Sequence, residues 1–314
     1  MEDENMKFPK ELKAGDTVGL ICGSSCVDTA RIPQCVKAME DLGYRVKTAD
    51  NLDVDYGGIM AGSGKVRADW INRMFADPEV NAIFCVRGGD GSSRTMEYLD
   101  YDVIRSNPKI FVGYSDVTNL HLGITQNCGF VTFHGPMVSS NIVDSFDEET
   151  RNSLYSMINA AEGTVEFRNP AKDEIRVLKN GKASGILTGG NLSLLSASIG
   201  TPYEMETEGR ILFIEEVCEP VAKIEKWAMH LRNAGLLKKS AGIILGQFTD
   251  ITNEKCPQYD SIACLTDIFA DLDVPVLYNV QSGHGSQIMT LPMGAMCHMD
   301  TETRTIRFDV ERQG

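Results

Sequence analysis

The sequence predicts an α/β protein, with an N-terminal doubly wound, mostly parallel sheet and a strand-rich C-terminal α/β domain. Three observations predict it. In the first half, short apolar runs alternate with stretches of helical periodicity, the pattern of βαβ units. A polar, weakly patterned stretch at 163–182 then carries two turn signals, Asn169-Pro170 and Asn180-Gly181. Beyond it, apolar runs recur, and the last segment, 295–308, alternates as a hairpin does.

Taken in order, residues 17–22 form the first predicted strand. Residues 28–42 place Ile32, Cys35, Val36, Met39 and Leu42 at helical spacing. Residues 45–49 are the next strand, 66–75 a helix and 81–86 a buried strand. Residues 92–99 are read as a helix, 110–112 as a strand, 116–126 as a helix and 130–133 as a strand. A further helix is expected over 147–162. Right-handed crossovers place the loops after these strands on one edge. In the second half, apolar runs at 186–187, 211–214, 242–245 and 276–280 have helical patterns between them, and Asp300-Thr301-Glu302-Thr303 is the turn of the final hairpin. The expected division is an N-terminal domain over 1–150, a link over 151–182 and a C-terminal domain over 183–314.

Composition narrows the function classes. With 314 residues the chain is long enough for two domains with real cores. A formal charge of −14 and a pI near 4.8 argue against nucleic-acid binding, which wants a basic patch. No apolar stretch approaches the roughly 18 to 20 residues of a membrane span. The start, Met1-Glu2-Asp3-Glu4-Asn5, is acidic and has no signal-peptide apolar region, so a cytoplasmic location is expected. Nine scattered cysteines, some inside apolar runs (Cys22, Cys85, Cys128), suit reduced core thiols. Cys22 and Cys26 have no second cysteine or histidine pair with which to complete a zinc pattern, so a cysteine-based metal site is not expected, and no cofactor is expected either.

Several runs far apart in the chain carry chemistry. Gly113-Tyr114-Ser115-Asp116 follows an apolar run and opens a helical segment. A serine on a tight strand-to-helix turn is held out of the sheet, with backbone N–H groups nearby for an oxyanion. The match to the nucleophile elbow is incomplete, since Val117 replaces its second glycine. A serine hydroxyl needs an imidazole to take its proton, and the imidazole needs an acid to hold its tautomer. Gly283-His284-Gly285 offers a histidine with no Cβ on either side to obstruct approach. Glu215 and Glu216 end the apolar run 211–214, and alternation puts them on opposite faces, so one of the two points into a given cleft. Arg87-Gly88-Gly89-Asp90-Gly91-Ser92 follows a strand and presents backbone N–H groups to an anion or an oxyanion. Gly189-Gly190-Asn191-Leu192-Ser193 does likewise in the second half. Gly23-Ser24-Ser25 and His134-Gly135-Pro136 also follow strands; the first is read as a plain tight turn.

These motifs, in this order, resemble the L,D-carboxypeptidases of the murein tetrapeptide type, a family that includes the microcin C self-immunity peptidases. The resemblance spans nearly the whole chain. It takes in Ala61-Gly62-Ser63 with Arg67, Asp77-Pro78-Glu79-Val80, Gly200-Thr201-Pro202 and Ile214-Glu215-Glu216 as well as the runs above. It implies Ser115 as nucleophile, His284 as general base and Glu215 as orienting acid, with no metal; Glu216 stands where the family usually has Asp. The implied oxyanion donors are the N–H of Asp116 and one from the Gly88-Gly89 loop. Arg87, in that loop, is a candidate for the substrate carboxylate. Asp90 stands where the family's loop usually has Tyr, which makes the pocket more acidic and less stacked. The implied substrate is a small peptide, the murein tetrapeptide, losing its terminal D-Ala in cell-wall recycling. The implied assembly is a homodimer, without nucleic acid or membrane. Within the family, the alternative is cleavage of peptidyl- or aminoacyl-nucleotides, for which Trp227 and Tyr203 are the visible stacking candidates. From other classes, Gly88-Gly89-Asp90-Gly91 is the string of nucleotide-dependent lipid and NAD kinases, a reading that leaves Ser115, Glu215 and His284 idle. A non-catalytic ligand-binding module is the third reading.

Overall fold

The computed structural model describes residues 6–313 and confirms the α/β class, in two large sheets and a short two-stranded one. The acidic run at 1–5, on which the cytoplasmic expectation partly rests, lies outside the described residues.

The strands in chain order are β1 (Thr17–Ile21), β2 (Arg45–Thr48), β3 (Asp55–Tyr56), β4 (Met60–Ala61), β5 (Ala82–Cys85), β6 (Ile110–Gly113) and β7 (Thr132–His134). Then follow β8 (Gly163–Phe167), β9 (Arg176–Lys179), β10 (Lys182–Asn191), β11 (Ile211–Val217), β12 (Gly242–Thr249) and β13 (Val276–Tyr278). The last three are β14 (Leu291–Met293), β15 (Met296–Asp300) and β16 (Thr305–Val310).

The first sheet has the order β14-β7-β6-β5-β1-β2, parallel except for β14, which pairs antiparallel with β7. Every residue of β1, β5 and β6 is buried, as strands covered on both faces must be. The strand order reverses between β1 and β5. That switch point opens a crevice at the carboxyl ends of the strands. The loops after β1, β5 and β6 therefore meet there.

The second sheet runs β8-β16-β15-β10-β11-β12-β13-β9, with β10 to β13 parallel and the flanking pairs antiparallel. Helices Leu192–Ser198, Val221–Asn233 and Ser261–Phe269 cover one face around Leu195, Ile224, Leu231 and Leu265. The predicted tail hairpin is β15–β16.

Three expectations need correction. Residues 92–99 form two short 3₁₀ turns, Ser92–Arg94 and Met96–Tyr98, because Asp116 and Asn119 bind the Ser92 backbone and side chain and compete with a continuous helix. The stretch 151–182 is no free link. It holds most of helix Glu148–Ile158 and then β8 and β9, the two edges of the second sheet, whose exposed faces explain the weak polar pattern. The strand β14 returns from the C-terminal half to the first sheet, so that sheet is not built from the N-terminal half alone.

Candidate active site

Ser115 is the first residue after the β6–Tyr114 segment and adopts φ 66°, a left-handed conformation that is uncommon for a side chain other than glycine. The strain belongs to a turn that lifts the hydroxyl from the strand end, as a nucleophile elbow does. Gly113 is required by space: a Cβ there would lie 3.0 Å from both Cys85 Cβ and Val117 Cγ1. Val117, at the position of the missing second glycine, is fully buried and ends the 3₁₀ turn Ser115–Val117, after which helix Thr118–Cys128 begins. Ser115 itself stays partly accessible.

The Gly-rich loop after β5 closes on this serine. A Cβ on Gly88 would stand 2.9 Å from Ser115 Cβ and 3.1 Å from Oγ. Gly89 and Gly91 both have φ near 105°, where glycine is needed. Ser25, in the loop after β1, donates its N–H to Gly88 O (3.2 Å) and accepts from the Asp90 N–H through Oγ (3.0 Å). The Gly23-Ser24-Ser25 turn is thus part of the site's frame. Among the described residues the N–H groups of Gly88, Gly89 and Asp116 donate to no protein acceptor. Those are the donors the sequence suggested for an oxyanion. The Asp116 side chain turns away from the serine; buried, it accepts the Ser92 N–H at 2.8 Å. Burial pushes its carboxyl above the usual range, against the pull of the Ser92 hydrogen bond.

Arg67 anchors the same loop from inside. Its guanidinium is fully buried and donates to Gly91 O (2.7 Å), Thr95 Oγ1 (2.9 Å) and Gly62 O. Thr95 in turn donates to Gly23 O at 3.1 Å, which ties the β1 loop to the β5 loop.

The second half supplies Glu215 and His284, the expected acid and base. His284 Nδ1 donates to Glu215 Oε2 at 2.7 Å, with Glu215 fully buried and the His284 side chain 14% exposed. This bond fixes the tautomer and leaves Nε2 to accept a proton. Glycines flank His284 for packing reasons: Gly283, at φ 140°, faces Glu215 Oε2, and Gly285 lies against Gln247, whose Oε1 accepts its N–H at 2.7 Å. Glu216 faces the other way, with a register irregularity between Ile214 and Glu216. It accepts from Asn191 Nδ2, the Ser193 N–H and its neighbour Val217 N–H at 2.8 to 2.9 Å. Both carboxylates are buried, so neither is a strand-end surface charge. Burial raises the Glu216 pKa from its ordinary value, opposed by those hydrogen bonds.

The two halves meet at the site. Asn191 N–H donates to Thr118 Oγ1 at 3.0 Å, which sets the end of β10 against the helix that follows Ser115. The Tyr114 ring packs edge-on to His284, centroids 4.8 Å apart, so the residue before the serine touches the histidine. No hydrogen bond joins Ser115 to His284 among the described residues; such contacts often tighten only with substrate bound.

Arg87 is exposed and donates to Cys26 O at 3.2 Å; Asp90 is exposed beside it. Tyr203 lines a cavity of about 300 Å³ with Met96, Asn119 and Leu194, one turn of helix from the serine, whereas Trp227 packs on the second core. Sequence reasoning missed Tyr114 as the ring under His284 and Gln247 as the support of its turn. An adjacent position in the serine motif was the available signal for the first; nothing in spacing marked the second.

The fold is a two-domain α/β one whose strand-end crevice sets the Glu215–His284 pair and Tyr114 beside Ser115. The chain belongs to the LD-carboxypeptidases: its residues 18–135 match the family's N-terminal domain and 184–299 its C-terminal domain. It is a serine-type carboxypeptidase. It is 37% identical to a probable murein peptide carboxypeptidase of Bacillus subtilis, over 95% of this chain and 92% of that protein. It is 28% identical to the microcin C7 self-immunity protein MccF of Escherichia coli, covering 94% and 93% of the two chains. Among solved structures, wild-type MccF superposes with a TM-score of 0.91 at 25% identity, covering 98% and 99%. A muramoyltetrapeptide carboxypeptidase from Oxalobacter formigenes gives 0.82 at 25% identity, covering 95% and 100%. Among the described residues no helix is long and apolar enough to cross a membrane.

Proposed function

We propose that the protein releases terminal D-Ala from murein tetrapeptide, through an acyl-enzyme on Ser115. Ser115 Oγ attacks the amide carbonyl between the L-centre of diaminopimelate or lysine and D-Ala. His284 Nε2 takes the hydroxyl proton and delivers it to the departing amine. Glu215 stabilises the imidazolium, and the N–H groups of Asp116 and of Gly88 or Gly89 stabilise the oxyanion. Water, deprotonated by the same histidine, then frees the tripeptide. Arg87 is the cation of the loop available to the substrate's carboxylate. The reading extends to a cytoplasmic homodimer acting in cell-wall recycling.

The observation that carries this reading is the 2.7 Å bond from His284 Nδ1 to a buried Glu215, with the histidine resting on Tyr114 next to Ser115. The 37% identity to a probable murein peptide carboxypeptidase supports the choice of substrate. A second reading, cleavage of peptidyl- or aminoacyl-nucleotides, draws on Tyr203 beside the apolar cavity and on the likeness to MccF, solved in complex with aspartyl sulfamoyl adenosine.

The test is incubation of the pure protein, in chelator, with L-Ala-D-Glu-mDAP-D-Ala, its lysine counterpart, the pentapeptide and an aminoacyl sulfamoyl adenosine. D-Ala released from a tetrapeptide supports the first reading. Cleavage of the nucleotide alone transfers the proposal to the second. No product from any of them overturns both.

A further inference from the structure

His134, the last residue of β7, is buried with neither ring nitrogen hydrogen-bonded. Its neighbour His121 is the opposite case: Nε2 is bonded to Gly113 O and Nδ1 to Thr132 Oγ1, both at 2.8 Å. His134 lies between Phe213 (centroids 5.1 Å), Tyr114 (5.8 Å) and His121 (6.4 Å). The Tyr114 ring packs against both His134 and His284. Among the other buried side-chain oxygens without a partner are Glu215 Oε1, Ser282 Oγ and Thr290 Oγ1.

Their placement follows from the packing. Ser282 precedes Gly283, on which a Cβ would stand 3.0 Å from Glu215 Oε2. Thr290 packs on Gly135, the residue after His134, where a Cβ would be 2.9 Å from Thr290 Oγ1. Phe213 shares a strand face with Glu215 and touches both the His134 ring and the Gly246–Ser282 contact. Unpaired polar side chains from β7 (His134), β11 (Glu215) and the loop between β13 and β14 (Ser282, Thr290) are thus linked through Phe213, Gly283 and Gly135, and none hydrogen-bonds another directly. Buried polar groups in folded proteins are paired, and where side chains do not meet, internal water with two to four partners bridges them.

We propose that internal water joins Glu215 Oε1 to His134, Ser282 and Thr290, and that His134 is thereby a positioning residue for the Glu215–His284 pair. This rests on the role given to that pair above. A water donating to Oε1 fixes the carboxylate so that Oε2 stays aimed at His284 Nδ1. A neutral imidazole suits such a bridge because it offers one donor and one acceptor. Burial, and then the nearby His121 and His284, hold His134 well below the ordinary histidine range, which keeps it neutral.

The test has two arms. A crystal structure at a resolution that shows water is expected to place an ordered molecule about 3 Å from Glu215 Oε1 and from at least one of His134, Ser282 and Thr290. A dry region there overturns the proposal, whatever the enzyme cleaves. The second arm compares His134→Phe with His134→Gln. If His134 only fills space among Phe213 and Tyr114, Phe replaces it better than Gln. If it holds water, Gln retains most of kcat and Phe loses about 10–100-fold with KM nearly unchanged, the size of loss when an outer-shell partner is removed. Phe equal to or better than Gln overturns the positioning role. Should either variant fail to fold, Ser282→Ala is read instead, with a smaller kcat loss expected and an unchanged kcat contradicting the network. If the wild-type protein cleaves none of the substrates above, the function has failed, and the water arm still decides this inference.

Discussion

Gly88 stands so close to Ser115 that a methyl group on it would lie 2.9 Å from Ser115 Cβ. The loop after β5 and the turn after β6 therefore form one rigid unit at the strand-order switch, and the hydroxyl's position depends on a missing side chain. Gly88→Ala is expected to push Ser115 aside and lower kcat at least about 100-fold, since small misplacements of reacting atoms cost that much. Melting temperature should fall by only a few degrees. Wild-type kcat in a folded Gly88→Ala protein would show that the contact is not part of the site.

Adjacent glutamates with opposite orientations allow a paired comparison. Glu215→Gln removes the charge that orients His284 and is expected to reduce kcat by about 10³–10⁴-fold, as loss of the acid does in other triads. Glu216→Gln disturbs the Asn191 and Ser193 contacts instead, with a stability loss of about 1–3 kcal/mol and kcat within about tenfold. Steady-state kinetics and urea unfolding on both variants separate the two roles.

The buried Arg67 predicts a stability effect with a functional echo. Arg67→Met leaves Gly62 O, Gly91 O and Thr95 Oγ1 without their donor. The expected loss is about 3 kcal/mol, read from the urea midpoint, with kcat/KM reduced because the Gly88–Ser92 loop loosens. Arg67→Lys should not rescue it, since one ammonium does not span three acceptors in a fixed fork.

The buried histidines predict acid sensitivity. Burial holds His121 down at about 4, with its bond to Gly113 O opposing, and holds His134 low as well. A depressed histidine stabilises the fold fully above its unfolded value, near 6.5. That contribution is lost as pH falls through the folded value. For His121 this is on the order of 3 kcal/mol between pH 6.5 and about 4. Asp116 and Glu216, raised by burial, act in the opposite sense as pH rises, so the histidine share must be isolated. Unfolding free energy of His121→Gln should change less with pH across this window than that of the wild type; equal slopes would contradict the assignment.

The first sheet was legible in the sequence because its parallel strands are buried on both faces and read as apolar runs separated by helical periods. Ser115 and His284 were legible as candidates because one follows a strand and the other sits between glycines, and Glu215 because it closes an apolar run. The edge strands β8 and β9 were not, because their exposed faces read as polar loop. Nor was β14, whose partner β7 lies over 150 residues earlier in the chain. Pattern alone left Glu215 and Glu216 open, since both end one apolar run; the resemblance implied Glu215, and it is Glu215 that His284 meets in the fold. Asp116 was read for its backbone, and its buried side chain, which orders Ser92, had no signature in spacing.

Every step of the proposed reaction depends on acylation of Ser115. Rapid-quench mass spectrometry of the intact protein mixed with murein tetrapeptide detects that species itself. The mechanism predicts a transient tripeptidyl adduct that peptide mapping places on Ser115, and loss of both adduct and D-Ala release in a folded Ser115→Ala protein. Turnover by Ser115→Ala at the wild-type rate, or an adduct mapped to another residue, would contradict it.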